Sequence, residues 1–261
     1  VLATASHQEL EAYHGATFPA LYALIARAHM ERYGTTEEQL AWVSVKNHRH
    51  GALNPKAQFR REVTAEQVLS SSPVAEPLRL LHCSPVSDGA AALVLCPLEQ
   101  ASRYQEAPVR VLGSGMSTDT MALADREDPA ALAAVHRAAE RAYEMAGVGP
   151  GEIDVAEVHD CFAIAEVCCL EELGFVERGQ GGRAAQEGWT ALGGRIPVNT
   201  SGGLKSKGHP VGATGIAQVI EICDQLREQA GERQVSGARI GLTQNMGGSG
   251  ASSIVHVLGR A

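Results

Sequence analysis

Apolar residues recur at helical spacing over residues 17–33, where Phe18, Leu21, Leu24, Ile25 and Ala28 mark one face. Pro19 is tolerated in the first turn and Gly34 supplies the stop. Thr35 followed by Glu38 is a capping-box pattern, which predicts a second helix carrying Leu40 and Val43 and reaching His48. Residues 51–55 then read as a turn. From about 55 to 85 the chain is loop-rich with a short helix over 64–69, and the run 90–95 predicts a buried strand. Another strand is expected over 110–117. Asp128-Pro129 offers an N-cap and a helix-starting proline to Leu132, Val135, Ala139, Ala142 and Ala146, with Gly147 as terminator. Residues 153–158 read as a strand and 162–173 as a helix ended by Gly174. Ile216, Val219, Ile220, Cys223 and Leu226 mark a last helix ended near Gly231, and 239–243 and 253–258 close the pattern as strands.

Strands alternating with helices place the chain in the α/β class. One internal echo divides it: Ser87-Asp-Gly-Ala-Ala-Ala-Leu-Val-Leu95 resembles the stretch from Gly248 to Val257, each a Gly-rich turn feeding small residues and then a β-branched run. A duplicated half is the economical reading, with a boundary near 100–110, so that 1–105 and 106–261 are separate domains. The first half is the shorter, and its opening portion is expected to be absent.

Composition narrows the function. Hydrophobic content of 44% suits a packed interior, and a net charge of -8 without a basic block interleaved with aromatics argues against nucleic acid as a partner. No apolar stretch approaches the roughly 20 residues of a membrane span, and the N-terminus lacks a signal-peptide pattern, so a cytoplasmic location is expected. The six cysteines, at 83, 96, 161, 168, 169 and 223, show no CxxC pair and no metal-ligand spacing, so reduced thiols and no metal site are expected. Four lie in apolar runs and read as small core residues.

Chemistry concentrates at two strand-to-helix junctions about fifty residues apart. His209 stands between Gly208 and Pro210 ahead of a Gly-rich turn and a helix start; the positive helix end disfavours imidazolium, which suits a general base, or else the ring merely caps a turn. Cys161 sits at the first turn of its own helix, where the dipole is expected to favour thiolate; a half-buried structural thiol is the alternative. His159 reads equally as a satisfied core histidine or as a donor to a developing oxyanion. The cations in Lys46-Asn47-His48-Arg49-His50 read as complements to a helix C-terminus. Gly247-Gly248-Ser249-Gly250 precedes a strand and lacks a following Lys, so close backbone approach suits it better than a nucleotide loop.

From about Thr17 onward these stretches resemble the thiolase superfamily, on His159-Asp160-Cys161-Phe162, on the run Ser206-Lys207-Gly208-His209-Pro210-Val211-Gly212-Ala213-Thr214-Gly215 and on Cys83-Ser84-Pro85-Val86-Ser87-Asp88-Gly89-Ala90-Ala91-Ala92. Lys46-Asn47-His48 with Asn54-Pro55 and Gln58-Phe59 adds a fourth match. The His-Asp-Cys-Phe form is similar to the branch of sterol-carrier-protein thiolases and archaeal-type acetoacetyl-CoA thiolases. The resemblance implies a layered α-β-α-β-α fold, here an incomplete N-terminal half and a complete C-terminal half.

It also implies roles. His209 deprotonates a nucleophilic Cys, Cys161 is the second acid/base at the α-carbon of acetyl-CoA, and His159 belongs to an oxyanion hole. Asn245 occupies the place where other branches carry their second Cys, Gly247 follows it as a substrate contact, and Ser84 matches a serine that touches the pantetheine arm of coenzyme A. The implied activity is that of an acetyl-CoA acetyltransferase or 3-ketoacyl-CoA thiolase of lipid metabolism, with no cofactor beyond the coenzyme A thioester substrate. The family's acyl-accepting Cys has no match upstream of Thr17, so the resemblance implies a chain inactive alone. A thiolase-like retro-aldolase acting on hydroxyacyl-CoA and a non-catalytic subunit are the alternatives. Implied partners are an acyl-CoA, further copies of the chain in a homo-oligomer, a zinc-ribbon/OB-fold protein, and a separate N-terminal thiolase piece.

Overall fold

The computed structural model describes residues 2–260. In chain order the main elements are α1 (Phe18–Tyr33), α2 (Glu37–Ala52), α3 (Ala65–Ser70), β1 (Pro73–Ala75), β2 (Leu78–Arg79), α4 (Leu98–Ala101), β3 (Val109–Thr118), α5 (Ala133–Ala146), β4 (Val155–Glu157), α6 (Ala163–Glu172), α7 (Gly181–Gln186), α8 (Gly203–Ser206), α9 (Thr214–Leu226), β5 (Ile240–Gly247) and β6 (Ser252–Arg260).

The helices begin and end for identifiable reasons. Gly34 adopts φ 74° and returns its N–H to Met30 O, and Gly147 closes α5 at φ 69°. The capping box of α2 lies one residue later than the sequence suggested: Thr36 Oγ1 accepts from Gln39 N at 3.2 Å and Gln39 Oε1 from Thr36 N at 3.1 Å. Thr35 is drawn off to His29 Nδ1 at 2.8 Å. Asp128 caps a turn, accepting from Ala130 N at 3.0 Å, and α5 starts at Ala133 rather than at Pro129.

The main sheet has the order β3-β6-β5-β4, with β4 parallel to β5 and the other pairs antiparallel. Along β3 and β6, Gly113 faces Val257 and Gly115 faces Val255. Side chains at Gly113 and Gly115 would collide with the Ala142 and Ala138 carbonyls, so glycine there lets α5 lie directly on the sheet. Val255, Val257 and Leu242 complete that face within the principal core, shared with α1, α2 and α6. The opposite face carries α9, whose Ile222 and Leu226 pack on Val155 and Leu258. Beyond that contact Met116 and Ile254, paired across β3 and β6, stay exposed.

The strand expected over 90–95 does not form. The segment has no ladder partner among the described residues, and Val94 and Leu95 are 88% and 81% exposed. Its counterpart in the internal echo becomes β6, which is held between two strands. An extended segment is a strand only where a neighbour satisfies its N–H and C=O groups.

Candidate active site

Parallel pairing of Glu157 with Thr243 sets the carboxyl end of β4 beside the middle of β5, and His209, in the loop that leads into α9, bridges to Val86. The carboxyl ends of parallel strands are where α/β proteins gather reactive groups. Three turns meet there: 158–162, 207–213 and 247–251.

His209 is held from both sides. Its backbone N–H donates to Ser87 Oγ at 3.0 Å, and Ser87 Oγ donates to Gln58 Oε1 at 2.5 Å. Gly208 precedes it at φ 112°, where a Cβ would lie 3.0 Å from both of those oxygens, so only glycine fits without displacing them. His209 Nδ1 stands 2.7 Å from Thr214 Oγ1, and that hydroxyl donates to Pro210 O at 3.0 Å. A hydroxyl whose one proton is committed must accept from the ring, so Nδ1 carries the hydrogen and Nε2 is the basic nitrogen. Burial, then the Lys207 ammonium, lower the His209 pKa to about 4. The ring is neutral as the sequence suggested, with desolvation as the leading cause.

The His159 ring meets that of His209 edge to face, with centroids 5.1 Å apart at 87°. Its backbone N–H donates to Gln244 Oε1 at 3.0 Å, and its Nδ1 is buried without a partner. Burial, followed by His209, lowers its pKa to about 3. Asn245 is steadied by a 3.1 Å bond from its Nδ2 to Gln218 Oε1. Gly247 is exposed, and a Cβ there would press on Ser252 Oγ at 2.8 Å.

Cys161 departs from expectation. It precedes the N-cap Phe162 and is buried, and desolvation pushes its thiol up to about 12 despite a hydrogen bond with Tyr22. At neutral pH it is a thiol, not a thiolate, with removal from water the leading cause. Ser84 lies beside it, its N–H donating to Cys161 O at 2.9 Å. Tyr22, unremarked in the sequence, stacks on Phe162 at 4.6 Å and donates to Gly248 O at 3.1 Å. It thereby ties the Cys161 turn to the 247–251 turn.

A second set that sequence reasoning missed holds these turns in place. Lys46, expected to complement a helix end, is instead buried mid-helix in α2, 2.7 Å from Glu166 and donating to Val198 O at 2.8 Å. Glu166 Oε2 also accepts from Asn47 Nδ2 at 2.8 Å and Asn199 Nδ2 at 2.7 Å. Asp160 accepts from Asn47 Nδ2 at 2.7 Å and Leu204 N at 2.6 Å, and Lys205 Nζ donates to His82 O at 2.6 Å. The His159–Phe162 turn and the start of the His209 loop therefore hang on one buried polar network. A cavity of about 550 Å³ opens beside the His209 loop, lined by Lys207, Gly208, Pro210, Thr214 and the 86–91 segment. Among the described residues no group of three or more His, Cys, Asp or Glu is placed to hold a metal ion, and no helix is long and apolar enough to cross a membrane.

This burial has a measurable cost. His50, His82 and His159 are lowered to about 3 and His209 to about 4, each first by desolvation, whereas the unfolded chain protonates them near 6.5. The unfolded state then binds more protons, so stability falls as the pH drops from 6.5 towards 4. Glu157, raised to about 7 mainly by burial, opposes this by gaining stability as the pH falls from 7 towards 4.5. His48 and His256 are lowered as well, and Asp160, Glu172 and Asp224 are raised with Glu157, so six histidines that lose stability oppose four carboxyls that gain it, and urea midpoints are expected to decrease between about pH 6.5 and 4.5; a flat profile would mean that these rings are hydrated.

The arrangement agrees with three comparisons. The family model described as "Thiolase, N-terminal domain" matches residues 7–99, and "Thiolase C-terminal domain-like" matches residues 115–260. An acetyl-CoA acetyltransferase of Methanothermobacter thermautotrophicus is 56% identical over 259 residues, covering 99% of this chain and 68% of its own length. Sterol carrier protein 2 of Oryctolagus cuniculus is 41% identical over 241 residues, 90% of this chain but 44% of that protein. A solved structure described as "Ltp2-ChsH2(DUF35) aldolase" superposes with a TM-score of 0.84 at 26% identity, over 94% of this chain and 64% of that one. The chain thus spans from under half to about two thirds of the length of these proteins. With the two family models dividing the chain between them and a relative at 56% identity, this protein belongs to the thiolase family.

Proposed function

We propose that these residues form the proton-transfer side of a thiolase-type acyltransferase, an acetyl-CoA acetyltransferase that performs Claisen condensation or its reverse, thiolysis, on coenzyme A thioesters. The observation that carries the reading is the neutral His209 ring, with Nδ1–H committed to Thr214 and Nε2 left as a base. His209 takes the proton of an acyl-accepting thiol, whose sulfur attacks the thioester carbonyl of acetyl-CoA and expels the coenzyme A thiolate in condensation, or attacks the 3-keto carbonyl of acetoacetyl-CoA and expels the acetyl-CoA enolate in thiolysis. In this reading that thiol comes from polypeptide beyond these residues, in the part of the methanogen enzyme's length that the match leaves uncovered. Of the cysteines here, Cys83 bonds Arg79 O, Cys168 and Cys169 are buried in α6, Cys223 lies on α9 and Cys96 stands in the unpaired segment.

Cys161 is the second acid/base. As a neutral thiol it suits thiolysis in the resting state, giving its proton to the α-carbon of the departing acetyl-CoA enolate while His159 Nδ1, without another partner, faces the developing oxyanion. In this reading Ser84 contacts the coenzyme arm and Gly247 the thioester. In the chain completed with the uncovered region, Cys161→Ala is expected to leave acylation from acetyl-CoA intact, because that step expels a thiolate and needs no proton at carbon. It should slow α-deuterium exchange of acetyl-CoA by about 10²-fold or more. Persistent exchange would remove Cys161 from the mechanism.

The likeness to a structure described as an aldolase, whose description also names a DUF35 component, favours a second reading, carbon–carbon cleavage of a β-hydroxyacyl-CoA with a partner protein of the zinc-ribbon/OB-fold kind. Cleavage without free coenzyme A separates it from thiolysis, which requires the thiol.

A further inference from the structure

The loop that carries His209 is laced to two segments of the first half of the chain. Gln58 N donates to Lys207 O at 3.0 Å, Phe59 N to Ser206 O at 2.9 Å, and Ser206 Oγ returns a bond to Phe59 O at 2.6 Å. From the other segment Val86 pairs with His209 in a parallel bridge, and Gly89 lies so close to Pro210 that a Cβ there would come 2.7 Å from its Cγ. One hydroxyl joins the two segments across the loop. Ser87 Oγ gives its only hydrogen to Gln58 Oε1 at 2.5 Å, Pro85 O at 3.5 Å being the poorer acceptor, and keeps a lone pair for the His209 N–H at 3.0 Å. That bond falls where the backbone is least restrained. Gly208 has φ 112°, which glycine alone adopts readily, so the Gly208–His209 peptide has several orientations within reach. Each would root the His209 side chain in a different direction. Thr214 Oγ1 holds Nδ1 and fixes the rotation of the ring, but the root is left to Ser87.

We propose that Ser87 is a positioning residue for His209: its hydroxyl, aimed by Gln58, holds the Gly208–His209 peptide in one orientation and so sets the direction of Nε2.

The proposal rests on the base role assigned to His209 above. A base has to present its lone pair along the line of the proton it takes, and a displacement of about 1 Å costs about 10²-fold in rate. Without the Ser87 oxygen the His209 N–H loses its partner, and the orientations that Gly208 permits become populated. Ser87 acts through the main chain of His209 rather than on the reacting atoms, and no bond is made or broken in this role. Gln58 is exposed, so its part is to aim the hydroxyl rather than to fill space.

The test is peptide-resolved modification of the 261-residue chain by diethyl pyrocarbonate at neutral pH, with the buried His50 and His82 as internal standards. Ser87→Ala is expected to raise the rate at His209 about tenfold, through local opening of the loop, and to leave both standards unchanged. Ser87→Cys fills nearly the same space with a weak acceptor and should behave as the alanine variant does. An unaltered His209 rate in Ser87→Ala, an equal rise at all three histidines, or a wild-type rate in Ser87→Cys overturns the proposal. If Ser87→Ala does not fold, Gln58→Met removes the acceptor at an exposed position and should raise the rate at His209; no rise overturns it. In the completed enzyme, Ser87→Ala should lower kcat for acyl transfer about tenfold with KM for acetyl-CoA unchanged, and a change in KM alone counts against it. Should His209→Asn leave acylation intact, the base reading fails while the modification result still decides the role of Ser87.

Discussion

His209→Asn is expected to abolish acyl-enzyme formation, cutting transfer of labelled acyl group from acetoacetyl-CoA to the nucleophilic thiol by about 10³-fold in the completed enzyme. Asparagine is close to histidine in reach and its amide still donates to Thr214 Oγ1, so the loop between α8 and α9 is retained. What disappears is the lone pair on Nε2. The pH dependence supplies an independent check. Because burial and Lys207 bring the ring to about 4, the base is neutral across the physiological range. It protonates only when the pH falls through about 4, so wild-type acylation should be level between about pH 6 and 8. An acid limb centred near 6.5 would report an unperturbed, hydrated imidazole. Labelling that survives the substitution would disqualify His209 as the base.

Glu166→Ala should be the most destabilising of the polar substitutions, by about 3–5 kcal/mol. The carboxylate is fully buried and answers Lys46, Asn47 and Asn199 together. Its removal leaves the Lys46 ammonium in a dry interior with only Val198 O as a partner. Replacing both members, Lys46→Met with Glu166→Leu, should recover much of the loss, since the penalty belongs to the stranded charge more than to the missing attraction. Guanidinium unfolding monitored by circular dichroism measures both. A cost below about 1 kcal/mol for the single change would show that water reaches the pair.

Most helices were legible because each rests on a local code. Periodic apolar faces and left-handed glycines at Gly34, Gly147 and Gly174 mark α1, α5 and α6 irrespective of what packs on them. Errors arose where a local pattern admitted two solutions. Thr35-Glu38 and Thr36-Gln39 both spell a capping box, and the choice fell to His29, a residue six positions away that claims the first threonine. Asp128-Pro129 spells a helix start but closes a turn instead. The run 90–95 has strand chemistry, yet ladder pairing is non-local and cannot be read from the strand itself.

The close packing around His209 was legible because glycines crowd it, and the need for one at Gly208 is visible as contact with Gln58 and Ser87. The ionisation of Cys161 was not, because it depends on how much water is excluded, and that is set by Tyr22, Lys205 and α6 together. The clamp had a faint signal: Lys46, Asn47 and His50 share the helix face defined by Leu40 and Val43, so charged and amide groups stand where apolar ones are expected. Read that way, Lys46 requires a buried acid elsewhere in the chain, and Glu166, amid the apolar run of α6, answers to it.

The bare segment around Val94 and Leu95 carries a colloidal consequence. From Ala90 to Cys96 it offers seven uncharged residues with no proline, the composition that stacks readily into cross-β aggregates when left open. Any chain that paired with this segment would act as a solubiliser, and shelf life in concentrated solution would gauge its occupancy.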